Sequence, residues 1–279
     1  MNATRGSLPA PPHFRLEATV LSHGWVFLAP FSWDQNTLSF PVRVGRRKLT
    51  VKIGAKGKSV VFSPNIESVG AIVRWVLRLD EDLQPLAKHA AGDPLLRIAL
   101  RKGAGRLLRA PTLWEEAARI LCTTNIQWGG TVAMMRGLVE IGGGLFPTPR
   151  QVLNAGERRL KTEARMGYRS GYLLEFAEML EKGYPLEAWK TRLPALEVLT
   201  AEIKSWPGFG PYATAHMLVQ LGHYGALPID SEVRAFHQEL WGEETTDKRI
   251  NAEYEPFGAH AFLAYKLRRI ALRKNWIGD

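Results

Sequence analysis

A chain of 279 residues, 46% of them hydrophobic, is long enough for a real core in one or two domains. Its single cysteine, Cys122, excludes an intrachain disulfide and a cysteine-rich metal site, seven scattered histidines lack zinc-ligand spacing, and no apolar run is long enough to span a membrane. A net charge of +10 and a pI near 9.8 suggest a polyanionic partner, against the plainer alternative of a solvated basic face.

From Met1 to Pro12 the chain is polar and proline-rich, with no secretory apolar region, and reads as the loose terminus of a cytoplasmic protein. Phe14 to Phe62 reads as strands. Phe14–Val20, Leu38–Val44 and Lys48–Ile53 alternate, and Ser59–Phe62 closes the set. Short turns with Gly or Asn separate them, so a small antiparallel sheet with one wet face is expected. Its basic residues, Arg43, Arg46, Arg47, Lys48, Lys52, Lys56 and Lys58, suit either DNA phosphates or the protection of strand edges.

The period turns helical after Asn65, where Val69, Ile72, Val73, Val76, Leu77 and Leu79 form one stripe. Short helices are expected over 83–89 and from Asp93-Pro94 to Leu100. Thr112 has the position of an N-cap with Glu115 as its capping-box partner, opening a helix to Cys122, which is expected to be a buried structural thiol. The loop Thr123-Thr124-Asn125-Ile126-Gln127 leads to a helix over Trp128–Ile141, ended by three glycines. A further helix opens at Pro149, and Gly167-Tyr168-Arg169 precedes another.

The most informative stretch is Trp206-Pro207-Gly208-Phe209-Gly210-Pro211-Tyr212. Pro207 ends a helix that begins near Leu196, the glycines permit a tight hairpin, and Pro211 suits the first turn of a new helix. Free N–H groups at that helix start, bare of side chains, make an anion site fit for a DNA phosphate. Downstream, Leu227-Pro228-Ile229-Asp230 leads into a helix with Val233, Arg234 and Phe236. Taken alone, Asp230 is an N-cap. A polar loop over 242–247 and a last helix opening at Tyr254-Glu255-Pro256-Phe257 and reaching about Arg273 complete the chain.

Hairpin and downstream Asp together resemble the helix-hairpin-helix DNA glycosylases. In that superfamily a Leu-Pro-Gly-Val-Gly hairpin is followed by an Asp opening a helix. Here Trp206 stands for the Leu and Phe209 for the Val. The resemblance is to the branch of 3-methyladenine DNA glycosylase II and 8-oxoguanine DNA glycosylase, which lacks the four-cysteine iron–sulfur cluster of other members. It implies an α+β fold: an N-terminal antiparallel domain over 1–80, then a mostly helical glycosylase domain over 81–279 with the helix-hairpin-helix at about 196–222. It implies double-stranded DNA with a damaged base as partner and a monomer acting in the cytoplasm, on the nucleoid in a bacterium. No cofactor is implied beyond a monovalent cation on the hairpin main chain.

Residue roles carry over from the same resemblance. Asp230 is the expected catalytic carboxylate. Gly208 and Gly210 hold a phosphate. Asn125 fills the space left by an extruded base, with Gln127 on the same loop, although Gly130 stands where the 8-oxoguanine enzyme has an Arg. Tyr168 is the expected wedge, Arg169 reaches the orphaned base, and Arg234 is a further DNA contact. Tyr212, Phe257 and His260 are the expected walls of the base pocket. Relatives that also cut the DNA strand carry a Lys where this chain has Tyr212, and a phenol cannot form an imine. The expectation is a monofunctional glycosylase, with alkylated purines first and oxidised purines second. A non-catalytic hairpin module, and a bifunctional enzyme with a lysine from elsewhere, are the alternatives.

Overall fold

The computed structural model describes residues 4–243 and 245–274. Five strands form one antiparallel sheet: β1 (Gly6–Pro9), β2 (Ser32–Asp34), β3 (Thr37–Val44), β4 (Arg47–Lys56) and β5 (Ser59–Ser63), in the order β1-β5-β4-β3-β2. The register sets Phe40 opposite Val51 and Ile53 opposite Phe62. Period-two alternation thus gathers the apolar side chains on one face and leaves Arg43, Lys48, Lys52 and Lys56 exposed.

Two readings of the N-terminal region need correction. The expected loose terminus contains β1, which pairs with β5, and Thr4 is tied down by the Asn65 N–H; residues 1–3 lie outside the described residues. Phe14–Val20 is not a strand: Leu16–Val20 is a one-turn helix, α1. Its buried residues, Leu16, Thr19 and Val20, follow helical spacing beneath the alternation.

Helices follow in the expected places. They are α2 (Glu67–Val76), α3 (Gln84–His89), α4 (Pro94–Arg101), α5 (Leu113–Thr123), α6 (Trp128–Ile141), α7 (Pro149–Thr162), α8 (Arg169–Glu181), α9 (Leu196–Lys204), α10 (Pro211–Leu221) and α11 (Ser231–Trp241). Thr112 caps α5 through the Glu115 N–H at 3.1 Å, but the reciprocal half of the box is not made, because the Glu115 carboxylate pairs with the buried Arg119. Cys122 is buried, and burial pushes its thiol up to about 12. The region after α11 was read too simply. An additional helix, α12 (Asp247–Tyr254), and a 3-10 turn (Glu255–His260) precede the last helix, α13 (Ala261–Arg273).

The apolar side chains form two cores. One joins the sheet and α2 to α5–α10 through residues such as Val51, Val73, Leu121, Phe176 and Met217. The other gathers α3, α4 and α11–α13 around Leu86, Leu96, Phe236, Tyr254 and Tyr265. The sheet therefore shares its core with half of the helices, and the division expected at residue 80 does not follow the cores. Arg78 spans the seam: its buried guanidinium donates to the carbonyls of Leu107, Val219 and Gln220 and to the Tyr224 hydroxyl. No helix among the described residues is long and apolar enough to cross a membrane.

Candidate active site

The hairpin between α9 and α10 follows from its residues one by one. Trp206 N–H closes on the Ile203 carbonyl, and Phe209 N–H on that of Trp206 at 3.1 Å. Gly208 has φ +76°, and a Cβ there would lie 2.6 Å from Tyr172 and 2.8 Å from Leu121. Gly210 caps α10 with an ordinary φ of −77° and open space around it. The two aromatic replacements are anchors: Trp206 stacks on Trp189 with ring centres 5.4 Å apart, and Trp206 and Phe209 both meet Phe176. Bulk at these positions thus fixes the hairpin from beneath. No cluster of three His, Cys, Asp or Glu that could hold a metal ion occurs among the described residues.

The hairpin opens onto a cleft of about 1470 Å³ between α10, α11 and α13, with the segment His23–Phe27 on another side. Asp230 stands in it as the N-cap of α11, one oxygen accepting from Val233 N–H at 2.9 Å. Its other oxygen makes no hydrogen bond among the described residues. The capping reading and the catalytic reading are thus compatible. The cap bond fixes the carboxylate while leaving an oxygen for chemistry. Tyr212 shares the cleft, and burial together with the nearby Asp230 carboxylate pushes its phenol up to about 12. Tyr212 therefore stays a neutral hydroxyl at physiological pH.

The rim carries apolar side chains that water would not favour. Phe27 is 65% exposed and Tyr168 55%, and Ile126, Trp128 and Tyr172 join them at the mouth. Asn125 and Gln127 lie on this rim, Asn125 with a left-handed φ of +46°. Arg169 is placed differently from the expectation. Its guanidinium is buried, donates to the carbonyls of Thr124 and Asn125, and lies 4.6 Å from the Tyr168 ring centre. It holds the rim loop from inside and does not reach outward to a base. Arg234 lines the cleft but forms a two-pronged ion pair with Asp247 at 2.8 and 2.9 Å.

Phe257 and His260 are not in the cleft. The 3-10 turn carries Phe257 into the second core, where it packs on His89 and under the Arg268 guanidinium, and leaves His260 half-buried, its ring centre 5.7 Å from that of His89. The wall comes instead from Phe262, Tyr265, Lys266 and Arg269 of α13. Their spacing is one helical face, so the signal was present once the helix start is moved to Ala261. His23, Trp25, Phe27 and His216 were also missed, and nothing local marks them. His216 sits between Tyr212 and Trp25, with ring centres 5.7 and 5.1 Å away. Burial, then the Lys266 charge, lowers its imidazole to about 3. Lys266 itself is lowered to about 8 by burial and by Arg269, against the opposing pull of Asp230 and Glu232.

No protein-family model matches the chain, and no curated protein does. Solved structures match over nearly its whole length. The 3-methyladenine DNA glycosylase from Archaeoglobus fulgidus superposes with a TM-score of 0.74 at 18% identity, covering 95% of this chain and 98% of that one. The 8-oxoguanine glycosylase/lyase of Clostridium acetobutylicum, in its apo-form, gives 0.72 at 19% identity, with 94% and 95% covered. Its complex with double-stranded DNA containing cytosine opposite 8-oxoguanine gives 0.68 at 19%, with 94% and 93% covered. The chain has the α+β fold of the helix-hairpin-helix DNA glycosylases.

Proposed function

We propose that this protein is a DNA glycosylase, which extrudes a damaged purine from duplex DNA and hydrolyses its glycosidic bond. The observation that carries the reading is Asp230, with a carboxylate oxygen left over from its capping bond, in the cleft onto which the hairpin opens. Chemistry on a base requires it out of the stack. The exposed side chains Phe27, Ile126, Trp128 and Tyr168 suit insertion into the duplex, and Asn125 suits the vacated space. The amides at the head of α10 suit a phosphate. As the bond breaks, positive charge builds on the sugar, and a carboxylate beside it favours that state over the ground state. At about 4 Å and an effective dielectric near 20, the attraction is roughly 4 kcal/mol, or about a thousandfold in rate. The same carboxylate orients the attacking water.

Base loss is proposed to be hydrolytic and the enzyme monofunctional, because the hairpin offers the Tyr212 phenol where an imine-forming amine would be needed. A monomer acting on the nucleoid in the cytoplasm, with a monovalent cation on the hairpin carbonyls, belongs to the same proposal. The test is a panel of duplexes, each with one modified base, incubated with wild type and Asp230→Asn. Base loss with wild type alone, and strand breaks only after alkali, is the expected result. Tight, salt-sensitive duplex binding with no base loss would mark a binding module instead. Efficient borohydride trapping of a protein–DNA adduct would overturn the hydrolytic step.

A further inference from the structure

We propose that the cleft selects a neutral purine lesion whose carbonyl faces the Lys266 ammonium and whose adjacent ring N–H faces His216, and that it discriminates against purines carrying a positive charge. The proposal deepens the glycosylase reading and rests on it.

Lys266 is on the face of α13 that lines the cleft, with Phe262, Tyr265 and Arg269. Its ammonium lies 5.7 Å from the Phe262 ring centre and makes no ion pair or hydrogen bond among the described residues. The charged and titratable groups around it are Asp230 and Glu232 of α11, Arg269 of α13, His216 of α10 and His23. A half-buried ammonium without a hydrogen-bond or ion-pair partner is stabilised by an acceptor that a ligand brings into the cleft. His216 is the second, independent observation. Its Nδ1 is buried and has no hydrogen-bond partner, and its ring is held between Trp25 and Tyr212. Burial keeps this imidazole neutral, and with Nδ1 enclosed, Nε2 is the nitrogen that meets the cleft, an acceptor for a ligand N–H when the proton is on Nδ1. A cation and a neutral imidazole lining one cleft match a carbonyl next to a ring N–H, the lactam edge shared by 6-oxo and 8-oxo purines.

The same arrangement suits the leaving group. When the bond from C1′ to the purine breaks, its electron pair goes to the base. Water adds to C1′, and the proton that water loses ends on the departed purine. A neutral purine passes through an anion on this path, and an ammonium at its carbonyl lowers that charge's energy. A purine alkylated to a cation leaves as a neutral base, needs no such help, and meets like charge on entry.

The test measures single-turnover base release from duplexes carrying hypoxanthine, 8-oxoguanine or 7-methylguanine. The last keeps a carbonyl and adds a positive charge. Wild type, Lys266→Met, Lys266→Arg and Asp230→Asn are compared, with melting curves as a check on folding. Wild type is expected to release the neutral lesions faster than 7-methylguanine. Lys266→Met is expected to slow the neutral lesions on the order of tenfold to a hundredfold and to spare 7-methylguanine, with Lys266→Arg keeping the wild-type preference. Lys266→Gln repeats the comparison should the Met variant melt early. A wild-type preference for 7-methylguanine, or an equal loss on all three substrates, overturns the proposal. Wild type that releases none of the three, yet frees another damaged base in an Asp230-dependent way, overturns this selectivity alone. Release of no base from any duplex overturns the glycosylase reading as well.

Discussion

Asp230 caps a helix and, in the proposed reaction, stabilises the sugar cation, and the two tasks separate by substitution. Asn caps a helix about as well as Asp but carries no charge. Asp230→Asn should therefore melt close to wild type while losing roughly a thousandfold in base release, whereas Asp230→Ala should also lose about 1 kcal/mol of stability with its cap. Differential scanning fluorimetry beside a single-turnover assay checks both. His216 makes a second residue-scale prediction. Burial, then the Lys266 charge, lowers its folded imidazole to about 3 from the ordinary 6.5. As pH falls below about 6.5 the unfolded chain takes up a proton that the folded chain refuses, so the stability present above that pH drains away toward about pH 3. Melting temperatures followed from about pH 7 to about pH 4 should fall less steeply in His216→Gln than in wild type. At this scale the sequence pointed to Asp230 and Tyr212, both of which line the cleft, because each belongs to a local pattern. It did not show Lys266 or His216, whose meaning depends on chain segments far apart. It misplaced Phe257 and His260, because a helix start judged a few residues early rotates every side chain assigned to it.

Hairpins and helix ends were legible because their determinants are adjacent residues. Pro207, Gly208, Gly210 and Pro211 leave few alternatives, and α9 and α10 begin and end close to where these residues require. Leu16–Val20 was misread because a five-residue element carries too little periodicity to distinguish alternation from a single helical turn. The two glycines of the hairpin make different predictions. Gly208→Ala places a methyl group against Tyr172 and Leu121 at a left-handed backbone position and should cost about 1–3 kcal/mol in urea unfolding. Gly210→Ala meets open space and an ordinary backbone, so its fold should be unchanged. Its effect should appear only as weaker duplex binding in a filter or anisotropy assay, where a phosphate needs the bare backbone. Normal binding by Gly210→Ala would argue against a phosphate at the hairpin. The rim loop is held by the buried Arg169 through main-chain carbonyls, a contact available to almost any loop sequence and so invisible beforehand.

Over the whole molecule, Arg78 is the group on which the two cores depend together. Replacing it by Met removes donors from the Leu107, Val219 and Gln220 carbonyls and a partner from Glu81. The expected loss is about 3–5 kcal/mol by denaturant titration, far beyond that of a surface arginine such as Arg150. The α+β class was legible from the change of period near residue 65. The sharing of one core between sheet and helices was not, since apolar patterning says which faces are buried but not against what. That sharing has a consequence for how such a protein diversifies. The hairpin and rim belong with the sheet's core, whereas α11 and α13 belong with the other. On the proposed function, grip on the duplex rests with the first core, while choice of lesion draws on both, through His216 of α10 and Lys266 of α13. In that reading, substitutions accumulating around α11–α13 retune which base is removed while the anchorage of the first core is inherited.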